Sequence, residues 1–293
     1  MATKSSRSIG KYKRHELLAS AVYLVPALAF FLVFSVYPFF SGVALAFQDA
    51  NVFVTRFVGL DNFREIIQSP LFWKGFYNTL RFTLWSTIPI VIIPFMISVF
   101  AASLSIRYQY FIRFAFFVPM FSGGIITMGF WKWFFHPRVG LANAILGTKI
   151  AWLGQNPYAF YACELVLIST MLGMPIIMYL SRLLNVDRQM YEAARIDGAG
   201  ELRIALHLTL PELMPLVIFI LITRTVGFLQ VWQVPYTLTG GGPVYGTTTM
   251  VLQAYEATVI AGRWGYASAI SMVLLILTGF IMIIQRRLLR EYI

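Results

Sequence analysis

The sequence predicts an all-α integral membrane protein with six transmembrane helices and with both termini on the cytoplasmic side. Apolar residues make up 59% of the chain and charged residues only 12%. A soluble chain of 293 residues would have about a quarter of its residues charged. Six apolar runs also reach the roughly 20 residues that a helix needs to cross the hydrocarbon core. Disordered, collagen-like and secreted disulfide-rich proteins are therefore excluded.

The six apolar runs are bounded by charges or by Gly and Pro. They lie at 18–47, 77–104, 110–134, 158–182, 213–234 and 266–286. The first is too long for a cleaved signal peptide, and no small-residue cleavage site follows it. The predicted division of the chain is a basic cytoplasmic tail (1–17), the first span (18–47), an external loop (48–76), a core of five spans (77–288) with a cytoplasmic loop at 185–211, and a cytoplasmic tail (289–293).

Orientation follows from the basic residues, because Lys and Arg are retained on the cytoplasmic side of a membrane. The segments that lie inside, if the N-terminus is inside, hold Lys4, Arg7, Lys11, Lys13, Arg14, Arg107, Arg113, Arg182, Arg188, Arg195, Arg203, Arg286, Arg287 and Arg290. The outer segments hold Arg56, Arg64, Lys74, Arg138, Lys149 and Arg263. The net charge of +11 is therefore a topology signal in a lipid bilayer, and nucleic acid is not an expected partner.

The loop at 185–211 is unusually polar for a chain with otherwise short connections. Asp187 is expected to cap a first short helix, and Gly198 to end it in a left-handed turn. A second helix is expected to run to Leu210, where Pro211 stops it. Each helix has a charged and an apolar side, which suits docking to a cytosolic partner. The alternative is a pair of interfacial helices lying on the lipid.

Three motifs, in this order along the chain, resemble membrane subunits of binding-protein-dependent ABC importers. They resemble the sugar-importer branch, which includes the maltose and glycerol-phosphate permeases. The motifs are Phe57 to Phe63 (FVGLDNF); the loop residues Glu192-Ala193-Ala194, Asp197-Gly198-Ala199 and Leu210-Pro211, which are similar to the family's EAA loop; and Leu238 to Pro243 (LTGGGP), followed by Gly265 to Ala269 (GYASA). The resemblance covers most of the chain from 57 to 288.

This resemblance implies the type I ABC importer permease fold and a coupling role for the loop. In the family, the EAA helices sit in a cleft on a cytosolic ATPase and transmit its closure to the membrane helices. The motif residues are Glu192, Ala193, Ala194, Asp197, Gly198 and Pro211, with Glu192 as the charged contact and Gly198 as the turn. An intrahelical pair of Glu192 with Arg195 is the structural alternative, and it does not exclude docking.

The resemblance also implies partners and a location. The expected partners are a second, similar permease subunit, two cytosolic ATPase subunits and an extracytoplasmic sugar-binding protein, in the cytoplasmic (inner) membrane of a bacterium. We expect no cofactor on this chain, because it lacks the Gly-x-x-x-x-Gly-Lys-[Ser/Thr] phosphate loop, so ATP and Mg²⁺ would bind to the ATPase subunits. We expect no metal site either, since His15, His136 and His207 lie far apart in the sequence and on both sides of the membrane.

Arg224 lies near the middle of the fifth predicted span, where a guanidinium costs roughly 2.5–3.5 kcal/mol and should face protein or water. Gln230, Trp232 and Gln233 follow, and amides beside an aromatic ring are the groups that a carbohydrate site needs. Phe228 shares the helical face of Arg224. The resemblance places the sugar-contacting stretch of this span at about Arg224 to Trp232. In the third span it adds Met120 and Gly124.

Two hypotheses account for Arg224. The substrate carries an anion, such as a uronate or phosphate group, that pairs with this side chain, or Arg224 forms a structural ion pair with Glu164 in the fourth span. The function predicted overall is a permease subunit for a carbohydrate, with an acidic oligosaccharide as the sharper hypothesis.

Two other classes of membrane protein compete with the importer subunit as explanations of the sequence. A secondary transporter or channel for a small polar solute is the alternative, although it would need no EAA loop. An intramembrane enzyme is disfavoured, because the chain has neither a Gly-x-Ser-x-Gly elbow nor a His-Glu-x-x-His zinc helix.

Overall fold

The computed structural model describes residues 23–51, 53–121 and 124–290. The predicted tail at 1–17, the start of the first span and residues 291–293 lie outside this description, as do the side chains of Met120, Phe121, Ile125 and Arg188. The helices are α1 (Tyr23–Leu45), α2 (Asp61–Gln68), α3 (Pro70–Ala102), α4 (Ile106–Phe121), α5 (Gly124–Phe134), α6 (Leu141–Leu146), α7 (Tyr158–Met171), α8 (Gly173–Leu183), α9 (Arg188–Ile196), α10 (Glu201–Leu229), α11 (Gln233–Thr239), α12 (Met250–Ile260) and α13 (Trp264–Leu288).

A small antiparallel sheet interrupts this helical architecture. Strands β1 (Gln48–Ala50) and β2 (Thr55–Phe57) pair with Gln48 opposite Phe57. The prediction of a helical membrane protein is confirmed, and the two short strands are a local addition in the segment after α1.

Four of the described helices are long and apolar enough to cross a membrane, namely α1, α3, α10 and α13. The pair α7 and α8 makes a fifth span if their 40° bend is counted within one crossing. The third predicted span corresponds to α4 and α5, between which residues 122–123 are not described. The count of six spans and their orientation therefore remain predictions.

Helix α3 begins seven residues before the predicted span. The hydroxyl of Ser69 accepts a hydrogen bond from the Phe72 N–H at 3.3 Å, and Pro70 occupies the first turn, where its missing N–H costs nothing. With 33 residues, α3 is about 50 Å long and exceeds the roughly 30 Å hydrocarbon core. The helix therefore tilts within the apolar layer or extends beyond it.

Helix α3 is the central packing element, in contact with α7, α8, α10 and α12. Near its start, the rings of Phe82 and Phe160 are 4.6 Å apart. Near its end, the Ser98 hydroxyl donates to the carbonyl of Ile176 at 3.1 Å. Because α8 leads into the loop at 185–211, the Pro70 end of α3 lies at the opposite end of the bundle from that loop.

The predicted external loop at 48–76 is a folded segment that packs against the start of α13. The Asn62 amide donates to the carbonyls of Ala46 and Gln48 at 3.0 and 2.9 Å. Glu65 accepts two hydrogen bonds from Arg263, at 2.8 and 2.5 Å, and this pairing raises the pKa of the Arg263 guanidinium. The segment therefore joins the start of α3 to the start of α13.

Candidate functional site

The loop at 185–211 has the predicted beginning and turn. An oxygen of Asp187 accepts a hydrogen bond from the Gln189 N–H at 2.9 Å and caps α9. The helix ends before Asp197, and Gly198 has φ +76°, in the left-handed region. A glycine is suited to this position because it has no Cβ to clash with the backbone.

The prediction that Pro211 stops the second helix is wrong. Helix α10 runs without interruption from Glu201 to Leu229. The five residues Ala205–Thr209 before the proline form a π-helical turn. A proline in a regular helix removes one hydrogen bond and clashes with the carbonyl four residues earlier, and a wider turn accommodates both effects. The loop at 185–211, named the coupling loop for the role that the resemblance implies, is therefore continuous with the fifth span.

The charges of this loop are arranged so that Glu192 stays available. Arg195 forms its ion pair with Glu201, at 3.1 Å, and not with Glu192. Glu192 is exposed and takes part in none of the ion pairs found among the described residues. Ala193 is also exposed, while Ala194 is half-buried. A carboxylate on a surface of small side chains permits close approach by another protein.

Four apolar side chains of the coupling loop are also exposed in the described part of the chain, namely Met190, Ile196, Leu202 and Leu206. Ile196 is 86% exposed and Leu202 is 74% exposed. Exposed apolar residues grouped with polar ones are typical of protein-binding surfaces. The position of this patch beside Glu192 supports a docking role.

The base of the coupling loop is joined to the spans on both sides. Arg182, at the end of α8, pairs with Glu212 of α10 at 2.6 Å. The hydroxyl groups of Tyr191 and Thr209 lie 3.2 Å apart and connect α9 to the π-helical turn. A displacement of the loop would therefore be passed to α8 and α10 together.

The second candidate site is the break between α10 and α11. Helix α10 ends at Leu229 and α11 begins at Gln233, so Gln230 to Trp232 have no regular helical hydrogen bonding. The Thr249 hydroxyl donates to the Val231 carbonyl at 2.7 Å and anchors the break. Non-helical backbone at membrane depth is tolerated where it is buried in protein or lines a water-filled cavity. The break is therefore a candidate part of a polar pathway.

The start of α5 meets the start of α11 at Gly124 and Gln233. A Cβ added to Gly124 would lie 3.3 Å from Nε2 of Gln233, so the glycine leaves room for this amide. These are two of the predicted pathway residues, and the fold brings them together. Met120 lies in α4, and its side chain is outside the described part of the chain.

Trp232 belongs to a group of three aromatic rings. Its ring is stacked on Tyr255 with centroids 4.8 Å apart, and Tyr236 lies 5.2 Å from Tyr255 and 6.0 Å from Trp232. Sequence reasoning missed both tyrosines. The spacing of four residues between Trp232 and Tyr236 could have indicated that the two rings lie on one helical face. Tyr255 comes from α12, and no local pattern relates it to Trp232.

The remaining predicted pathway residues divide between surface and core. Gln230 and Gln233 are exposed, and Trp232 is half-buried. Phe228 is fully buried in the largest apolar cluster, together with Phe82 and Phe160. In this structure Phe228 therefore acts as a packing residue that supports the break.

Arg224 is half-buried, two turns before the break. None of the four ion pairs found in the described part of the chain includes it. The proposed structural partner, Glu164, is buried and instead accepts a hydrogen bond from the Ser86 hydroxyl at 2.5 Å. The described side chains therefore do not include the alternative ion pair between Arg224 and Glu164.

Within residues 23–51, 53–121 and 124–290, no group of three or more His, Cys, Asp or Glu side chains could hold a metal ion. The loop at 185–211 offers an exposed carboxylate and exposed apolar side chains, and the helix break offers amides and aromatic rings.

Residues 79–292 match the sequence model of a family described as the binding-protein-dependent transport system inner membrane component. Two curated relatives are similar in sequence to this chain over nearly its whole length. The lactose transport system permease protein LacF of Rhizobium radiobacter is 31% identical, over 99% of each chain. The sulfoquinovosyl glycerol transport system permease protein SmoG of Agrobacterium fabrum is 30% identical, over 93% of this chain and 91% of the relative.

A solved structure has the same fold. It is a chain of a bacterial ABC transporter involved in the import of the acidic polysaccharide alginate. The two chains superpose with a TM-score of 0.83 at 22% identity, over 97% of this chain and 99% of the other.

Proposed function

The chain belongs to the family of binding-protein-dependent transport system inner membrane components, and on that premise we propose that it is the membrane-spanning permease subunit of an ATP-driven importer for a carbohydrate. It would form half of the translocation pathway in a bacterial cytoplasmic membrane, beside a second, similar subunit. The relatives named for lactose and for sulfoquinovosyl glycerol support a carbohydrate substrate.

The observation that carries this proposal is the group of side chains at the break between α10 and α11. Trp232 and Tyr255 present aromatic rings, and Gln230 and Gln233 present amides on an exposed surface. Rings stack on the apolar face of a sugar, while amides hydrogen-bond its hydroxyl groups. The combination suits a neutral or charged carbohydrate better than an apolar solute.

The coupling loop would connect this subunit to ATP hydrolysis. Two cytosolic ATPase subunits would bind and hydrolyse ATP, one of them contacting Glu192 and the exposed surface around it. Closure of the ATPase pair would move the loop, and the Arg182–Glu212 pair would pass this movement to α8 and α10. Because α10 ends at the helix break, the movement would reach the pathway directly. Alternating access follows if ATP binding favours one orientation and hydrolysis the other.

An extracytoplasmic sugar-binding protein would deliver the substrate at the end of the bundle opposite the coupling loop. A structure of the alginate importer in complex with an alginate pentasaccharide-bound periplasmic protein contains a chain that superposes on this one with a TM-score of 0.83. That shared fold supports the proposal of a receptor for this chain.

We extend the proposal to an acidic carbohydrate, since Arg224 is half-buried and has no carboxylate partner among the described ion pairs. An intramembrane guanidinium without a protein anion can be neutralised by one on the substrate. Arg224 would then favour substrates that carry a negative charge.

Uptake of labelled sugars tests the proposed site. Cells expressing the complete importer should take up the substrate about three- to tenfold more slowly with Trp232→Leu, since one aromatic stack contributes roughly 0.5–1.5 kcal/mol. Trp133→Leu is the matched control, because Trp133 is also a partly exposed tryptophan but is outside the group at the break. Equal rates for the wild type and Trp232→Leu, at equal amounts in the membrane, would contradict this assignment.

A further inference from the structure

A cavity of about 730 Å³ opens at the Pro70 end of α3, and none of the residues named in the two candidate sites lines it. Three segments line it: the first turns of α3, the residues before α7 and the loop between α11 and α12. The lining includes the side chains of Trp73, Lys74, Tyr77, Asn78, Arg81 and Asn156.

The lining is basic. Lys74 and Arg81 are its charged residues, and no carboxylate lines the cavity. Neither cation belongs to an ion pair found in the described ranges. Glu164 attracts Arg81, but this carboxylate is buried and lies outside the lining. An anion is therefore the ligand that the cavity favours.

The walls of the cavity are held in place by hydrogen bonds. The Asn78 amide donates to the carbonyls of Tyr245 and Thr248 at 3.0 and 2.9 Å. The Asn156 amide donates to the Pro243 carbonyl at 2.9 Å. Because these bonds connect three segments distant in sequence, the cavity is preformed.

The cavity continues into an apolar strip on the same face of α3. Below Tyr77 and Arg81, the side chains of Leu84, Ile88 and Ile92 follow at helical spacing and are 65%, 62% and 49% exposed. No charged residue occurs from 82 to 102, a length that matches the roughly 20 residues needed to cross the hydrocarbon core. The cavity therefore lies at the level of lipid headgroups, and the strip at the level of acyl chains.

The positions of Trp73 and Tyr77 are consistent with a cavity at the level of the lipid headgroups. Both are exposed, by 49% and 64%. Tryptophan and tyrosine concentrate at membrane–water interfaces, where the ring meets the acyl boundary and the polar atom meets water. A basic pocket above an apolar strip and beside such rings is complementary to an amphiphile with an anionic head.

We propose that this cavity binds the phosphate-bearing headgroup of an anionic phospholipid, with Lys74 and Arg81 on the phosphate and the acyl chains along Leu84, Ile88 and Ile92. The site is separate from the substrate pathway and does not depend on the identity of the transported sugar. Bound lipid would fix the outer end of α3 against the loop that follows α11.

Native mass spectrometry of the purified full-length chain tests this site, with phosphatidylglycerol and phosphatidylcholine of identical acyl chains as probes. Wild type should retain phosphatidylglycerol preferentially. Lys74→Gln and Arg81→Gln should each weaken that retention about fivefold, the effect of one basic residue near an anionic lipid. Lys149→Gln and Arg138→Gln are the matched controls, because these exposed cations between α5 and α7 do not line the cavity.

Two further measurements distinguish a bound phospholipid from a bound inorganic anion. Ile88→Ser should weaken retention of both lipids, and excess inorganic phosphate should displace phosphatidylglycerol only weakly. Equal retention of the two lipids, unchanged retention in the Lys74 and Arg81 variants, or full displacement by inorganic phosphate would overturn the proposal. Loss of phosphatidylglycerol on assembly with the partner subunits would overturn it as well, since the face would then be a protein interface.

Discussion

Three charged side chains, Arg224, Glu192 and Glu164, occupy different environments in this protein. Glu164 is buried, and one of its carboxylate oxygens accepts a hydrogen bond from Ser86 while the other has no hydrogen-bond partner among the described residues. Glu192 is exposed, and its expected partner, Arg195, pairs with Glu201 instead. Arg224 is half-buried and belongs to none of the ion pairs described. The last two are therefore available for a ligand or a partner.

Replacing Arg224 by glutamine should reduce the uptake of acidic sugars more than that of neutral ones. The guanidinium would no longer offset the cost of bringing an anion into the membrane, which predicts a loss of at least tenfold for the acidic substrate. Initial uptake rates of both classes of sugar, measured with the complete importer, check this prediction. Arg224→Lys should retain part of the activity, and equal losses for both classes would show that Arg224 does not select charge.

Glu192→Gln should weaken coupling between the permease and its ATPase. The exposed carboxylate is the free charge of the docking surface, so its loss should reduce transport and transport-dependent ATP hydrolysis by roughly threefold or more. Glu201→Gln is the matched control, because this carboxylate lies on the same loop but is already paired with Arg195. If both variants lose activity equally, the surface depends on general charge and not on Glu192.

At the scale of the helices, function depends on a few close approaches and interruptions. The π-helical turn at Ala205–Thr209 lets α10 pass through Pro211, so the coupling loop is continuous with the fifth span. At Gly173, the backbone of α8 passes so close to α4 that a Cβ there would overlap the Phe116 carbonyl. Through these two features the coupling loop is connected to α10, and α8 is packed tightly against α4.

Gly173→Ala should destabilise the protein by about 1–3 kcal/mol, because backbone atoms of α4 occupy the space that the methyl group would need. Gly279→Ala is the matched control in α13. A Cβ at Gly279 meets nothing within 4 Å, so this substitution should be neutral or stabilise by roughly 0.5–1 kcal/mol. Thermal unfolding of the detergent-purified variants measures both, and a smaller loss for Gly173→Ala than for Gly279→Ala would refute the close contact.

At the scale of the whole molecule, much of the apolar surface is left for lipid or for other subunits. The most apolar part of α1 is not buried by the rest of the chain, and the corresponding parts of α3, α10 and α13 are about one-third buried or less. A chain that spans the membrane with so little internal burial suits a subunit of a larger assembly. The exposed coupling loop and helix break point to the same conclusion.

The purified chain alone should be inert when reconstituted into liposomes. Without an ATPase, neither orientation of the pathway is driven, and without a second subunit the pathway is incomplete. Uptake of labelled sugar should appear only when the partner permease, the ATPase subunits, the receptor and ATP are supplied together. Sugar flux by the chain alone would instead favour a secondary transporter or channel.

Local composition was sufficient to locate most of the spans and the polar loop, because membrane insertion depends on runs of apolar residues and on the positions of Lys and Arg. The cap at Asp187 and the left-handed turn at Gly198 were also predictable, since both depend on neighbouring residues. The break at 230–232 was not predicted, because the apolar run at 213–234 was expected to form one helix. The motifs, read together, indicated the family.

The contacts at the two candidate sites join residues far apart in the chain. Periodicity does not specify that Tyr255 stacks on Trp232, that Gln233 meets Gly124, or that Arg182 pairs with Glu212. It also does not specify that Arg195 turns away from Glu192, because two carboxylates are within its reach and only the folded loop selects Glu201. Such pairings depend on how the helices cross and bend, and that packing belongs to the complete fold.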